Sequence, residues 1–183
     1  MPTRWTPPML RVALTLGAAA LLPACGVARS LNGGLFAVPT GGDHDLVGGV
    51  VSGHYAFGNK LYAGVDATVR ATGDYGHGAL GTHVSFFSQR EPSGPYARLG
   101  FAPLAASLRD RTVWYAVNTS LESSGVVLPF GPQTHTVHGL FQTTDRGSAW
   151  TVGVRGDVEY RPAQGQADVF VSLLFGYHDY DVH

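Results

Sequence analysis

Charge is scarce in this chain. Only 14% of its 183 residues are Asp, Glu, Lys or Arg, against roughly 25% in an ordinary soluble domain, and Lys60 is the single lysine. Basic and acidic residues nearly cancel, leaving a formal charge of −1, so the basic excess of a nucleic-acid binder is missing. One cysteine excludes a disulfide scaffold. The apolar run Val12–Leu22 (VALTLGAAALL) is 11 residues long, short of the roughly 20 that a membrane-spanning helix needs. There is no Gly-x-Ser-x-Gly, P-loop, dinucleotide fingerprint or His-Glu-x-x-His, and no stretch shows a sustained amphipathic helical pattern. What the chain does have is 44% hydrophobic residues and 25 glycines. That composition without a large net charge excludes disorder, and the length suits one domain.

The first 24 residues read as an address. Arg4 and Arg11 form a positive n-region, and Val12–Leu22 fits a signal-peptide h-region. Leu22-Pro23-Ala24-Cys25 follows, with Leu three residues before the cysteine, a small residue directly before it and Gly26 after it. This resembles the lipobox of bacterial lipoproteins. The resemblance implies a lipoprotein signal peptide over 1–24, diacylglycerol on the Cys25 thiol, cleavage before Cys25 and acylation of the new amine. Several acyl chains meet the requirement for stable anchoring, at about 0.8 kcal/mol per buried CH₂. Position 26 is Gly rather than Asp, so the resemblance implies the outer membrane of a Gram-negative envelope. Residues 25–42 are Gly-rich and aperiodic and read as a lipid-anchored flexible tether reaching at most about 60 Å.

From Asp43 to the end the pattern has period two, the signature of strands. Eight segments carry it: 46–57, 60–72, 79–89, 95–106, 112–120, 135–143, 148–160 and 167–178, separated by Gly-, Pro- and Asp-rich turns. In the seventh, Trp150, Val152, Val154, Val158 and Tyr160 share one face, and Arg155, Asp157 and Glu159 the other. The second sets Leu61, Val65 and Val69 against Asp66 and Arg70, and the fourth sets Leu99 and Phe101 against Arg98. An even number of antiparallel strands joined by short turns is best completed by closure, which removes exposed edges. The expectation is all-β: an eight-stranded antiparallel up-and-down β-barrel over 43–183.

Polarity decides what such a barrel is for. If the apolar face points outward, strands of 10–13 residues match the length that crosses a bilayer. Trp150 and Tyr160 would then bracket an apolar band about 25 Å tall, and Asp66, Arg70, Arg98, Arg155, Asp157 and Glu159 would fill a lumen just wide enough for side chains, pairing with one another. In strand number, polarity and aromatic girdle the mature chain resembles the small eight-stranded outer-membrane barrels. If the apolar face points inward, the chain is a lipid-anchored, lipocalin-like carrier of an apolar ligand, although the Gly-x-Trp that lipocalins carry near the first strand is not found.

Candidate chemistry is sparse. His83 and Ser85 share a strand face at the spacing used by lipid-A deacylase barrels, where a histidine acts as base toward a serine hydroxyl; Phe86-Phe87 stands where that family has Asn-Ala. Asp43-His44-Asp45 and His178, Asp179, Asp181 and His183 would meet on one rim if the first strand pairs with the last, giving imidazole and carboxylate donors of the kind that hold metals. A solvated polar rim is the plainer reading, and no metal or other cofactor is expected. His135 and His138 fall on opposite strand faces, unsuited to chelation. The loop Ser123–Gln133 is apolar for a loop, through Val126, Val127, Leu128 and Phe130, and could contact an envelope partner or the membrane. The expected function is that of a non-enzymatic outer-membrane lipoprotein with a structural, adhesion or envelope-organising role. The carrier and a lipid-modifying enzyme stand as alternatives.

Overall fold

The computed structural model describes residues 26–39, 47–58, 61–88, 94–138 and 142–182. The segment 1–24, Cys25, residues 43–45 and His183 lie outside them. Eight strands follow in chain order: β1 (Gly26–Ala37), β2 (Val47–Gly58), β3 (Leu61–Ala71), β4 (Tyr75–Phe87), β5 (Tyr96–Arg109), β6 (Thr112–His138), β7 (Gln142–Arg161) and β8 (Gln166–Val182). Each pairs antiparallel with its chain neighbours, and β1 pairs with β8, so the sheet closes into an up-and-down barrel. Gly26 and Val182 therefore lie at the same end of the barrel, together with the β2–β3, β4–β5 and β6–β7 connections. The other four connections lie at the opposite end. One of these, the β5–β6 turn, is built by Asp110 and Arg111, both with positive φ (48° and 63°), as a two-residue hairpin turn matching the strand twist requires.

The count of eight agrees with the sequence reading, but two of the strands do not. Residues 26–37, expected inside a tether over 25–42, form β1. Alternation is weak there because the inward positions are small or polar (Ala28, Ser30, Asn32) and the outward row carries Arg29 and Gly33. The seam with β8 compensates through close approach: a Cβ on Gly34 would meet the Leu173 carbonyl oxygen at 1.9 Å, so only glycine fits that position.

Conversely, 135–143 is not a strand of its own. Residues 135–138 are the far end of β6, and β7 begins at Gln142. The turn-like residues that broke β6 in the sequence are absorbed as irregularities in its ladder with β7, one between Ser124 and Val126 and one between Phe130 and Thr134. Gly131 in the second has a φ of 70°. The segment Ser123–Gln133 is thus strand rather than loop.

The barrel wears its apolar face outside. Val65, Val152 and Leu173 are 53%, 37% and 62% exposed, whereas Arg70, Arg155 and Glu159 are at most 1% exposed. No helix among the described residues is long and apolar enough to cross a membrane, which says nothing of strands.

Candidate functional site

The interior is a core of charged and hydrogen-bonding side chains to which all eight strands contribute. Its hub is Glu122 on β6. One carboxylate oxygen accepts hydrogen bonds from Arg98 (2.9 Å), Tyr96 Oη (2.8 Å) and Asn32 (3.3 Å). The other lies 3.6 Å from His54 Nε2 and 3.7 Å from Arg155. Arg98 also donates from Nε to Ser85 Oγ at 3.0 Å and from a terminal nitrogen to Ser30 at 3.3 Å. Alternation places Arg155 and Asp157 two residues apart on one face of β7, and Arg155 Nε donates to both oxygens of Asp157 at 3.0 and 3.1 Å. Asn118 joins Asp157 (3.0 Å) to Arg70 (2.9 Å), and the Arg70 guanidinium lies 4.3 Å over the Phe170 ring.

Toward the β7–β8 turn a second cluster forms on Glu159. Tyr75 Oη donates to it at 2.6 Å, His77 Nδ1 lies at 2.7 Å and Arg161 at 3.0 Å. Arg161 and Arg109 share Asp168, at 2.6 and 2.7 Å. Opposite charges meet through the core: Arg70, Arg98, Arg155 and Arg161 pair with Glu122, Asp157 and Glu159, and Asp66 is buried in the same interior. Such pairing is what makes burial of full charges tolerable, because a lone buried ion costs several kcal/mol.

Aromatic clusters close both ends of this core. Tyr62, Phe87 and Tyr96 pack together with His178 near Gly26 and Val182, and Phe36, Tyr75 and Phe170 pack at the opposite end. The section is therefore filled with side chains, as expected for eight strands.

Outside, the wall is apolar and edged with aromatics. Phe130, Trp150 and Phe175 stack in a row with centroids 5.0 and 5.3 Å apart, and Tyr177 meets Trp150 edge-on at 6.0 Å. Immediately beyond this row, toward Val182, the outward face turns polar. Arg29 pairs with Asp179 at 2.6 Å and Arg146 with Asp181 at 2.9 Å.

The residues singled out in sequence now have places. Asp66, Arg70, Arg98, Arg155, Asp157 and Glu159 all face the interior and are buried. His83 and Ser85 face it too, on β4, but they are not joined. The Ser85 hydroxyl accepts from Arg98, and the His83 ring lies edge-on to His54 at 5.3 Å, so neither reaches the outer wall where a lipid substrate would lie. The strand beside β8 is β1, not the strand over 46–57, which removes the premise of the acidic–histidine rim. His178 points inward while Asp179 and Asp181 point outward into their arginine pairs. His135 is paired with Asp145, and the His138 side chain lies outside the described set.

Sequence reading missed Glu122, Arg161, Tyr75 and His77. Glu122 carries a signal: Asn118, Ser120, Glu122 and Ser124 continue one period-two polar row beyond the strand expected over 112–120.

No protein-family model matches this sequence, and no curated protein is similar to it at the level of sequence. Among solved structures, the crystal structure of Neisserial surface protein A is similar to this chain, with a TM-score of 0.51 and 13% identity over 84% of this chain and 95% of that one. At that identity the likeness is one of fold.

Proposed function

We propose that this chain is an outer-membrane β-barrel lipoprotein of a Gram-negative envelope, with a structural, adhesion or envelope-organising role and no catalysis of its own. The observation that carries the reading is the inverted polarity: a continuous apolar, aromatic-edged wall faces outward around a charged and buried interior. In water that wall would be a very large exposed apolar surface, where soluble monomers rarely expose contiguous patches beyond a few hundred Å². In a bilayer it is the ordinary arrangement of a transmembrane barrel. The same polarity opposes the lipocalin-like carrier, which needs an apolar chamber where this chain keeps its arginines and carboxylates. Similarity in fold to Neisserial surface protein A agrees with a place at the cell surface.

The lipid anchor on Cys25 belongs to this proposal. Gly26 is already paired in β1, opposite Gly58, so an acylated Cys25 would hold its chains at the barrel rim with no linker, a position that suits a barrel lying in the membrane. The test is fractionation of the full chain and its Cys25→Ala variant in a Gram-negative host. The proposal expects palmitate labelling of the first and not the second, with both retained in outer membrane after carbonate washing and both showing heat-modifiable migration. A Cys25→Ala protein that is soluble without detergent and binds a fluorescent fatty acid would establish the carrier instead.

A further inference from the structure

At the end of the barrel that holds Gly26 and Val182, three adjacent strands build an ordered outward patch. Strand β8 supplies Tyr177, Asp179 and Asp181 on one face. Tyr177 is flanked by Trp150 on β7 and Leu31 on β1, Asp179 by Ser148 and Arg29, and Asp181 by Arg146 and Val27. An aromatic and aliphatic row therefore borders a charged field in which two carboxylates sit between two arginines. Arg29 and Arg146 keep 56% and 61% of their side chains exposed while paired, and Asp179 and Asp181 keep 26% each. Ser148 Oγ links the two zones, lying 3.1 Å from Tyr177 Oη and donating to Asp179 at 3.4 Å.

Exposed ion pairs of this kind contribute little to stability, about 0–1 kcal/mol each. Their chemistry suits a ligand carrying both charges. Resting on the membrane-barrel reading, we propose that this patch binds the headgroup of a zwitterionic phospholipid. The phosphate diester meets the exposed faces of Arg29 and Arg146, the ammonium meets Asp179 and Asp181, and the acyl chains run along Leu31, Tyr177 and Trp150. Equal numbers of both signs distinguish it from an anionic-lipid site, which needs unpaired cations. The border of the apolar wall is where a headgroup lies.

The test uses the full chain, purified in detergent and titrated with phosphatidylethanolamine or phosphatidylglycerol, with bound lipid counted by native mass spectrometry. Wild type retains phosphatidylethanolamine in preference to phosphatidylglycerol. An Arg29→Gln/Arg146→Gln variant, still showing heat-modifiable migration, binds it roughly tenfold more weakly or worse, a tenfold change being about 1.4 kcal/mol. Asp179→Asn/Asp181→Asn removes the preference and leaves phosphatidylglycerol bound at least as well. Unchanged binding in both variants, or a wild-type preference for phosphatidylglycerol, overturns the proposal while the barrel still requires detergent. A wild-type chain that is soluble without detergent overturns the underlying reading instead.

Discussion

At the scale of single residues, Glu122 holds the most. It touches two arginines, a tyrosine, an asparagine and a histidine from four other strands. Replacing it with alanine leaves Arg98 and Arg155 buried without their shared partner, and removing one member of a buried pair costs about 3–5 kcal/mol. Glu122→Ala is expected to lower the unfolding midpoint of detergent-solubilised protein far more than Glu122→Gln, which keeps most of the hydrogen-bonding shape. Equal effects would mean that charge rather than shape matters there. The partnerships themselves were not legible in sequence. Arg98 and Glu122 are 24 positions apart, and only the β5–β6 register sets them opposite each other. The inward direction of Arg98, Arg155 and Asp157 was legible, because alternation alone fixes which face a strand residue occupies.

At the scale of strands, legibility followed contrast between the two faces. β7 sets large apolar side chains against charge or glycine, and its period is plain. β1 lacks that contrast, so composition made it a tether. β6 was broken by Gly125, Pro129 and Gly131, residues that ordinarily end strands and that here sit in or beside bulges. Gly34 shows what the β1–β8 seam demands. Gly34→Ala places a methyl group against the Leu173 backbone and is expected to cost about 1–3 kcal/mol as overpacking, read as a lower unfolding midpoint. An unchanged midpoint would show that β1 does not close the ring at this register. Outward on the same β8, Leu173→Arg tests the wall. In a bilayer it costs about 2–4 kcal/mol near the midplane; on a water-facing surface it would fall within about 0.5 kcal/mol.

At the scale of the whole molecule, two opposite solvents account for one sequence. On the proposed reading, low overall charge and alternating strands suit a transmembrane barrel, in which backbone polar groups must be satisfied internally. Closure of all eight strands does this, and the balanced ionic core fills the space that closure creates. Whether the apolar wall lies in lipid is read by spin labels placed singly at Val65, Val152 and Leu173, in vesicle-reconstituted protein with Cys25 replaced by serine. A wall in lipid gives strong relaxation of all three labels by oxygen and weak relaxation by a water-soluble nickel chelate. Strong relaxation by the chelate at all three would place the wall in water and contradict the membrane reading.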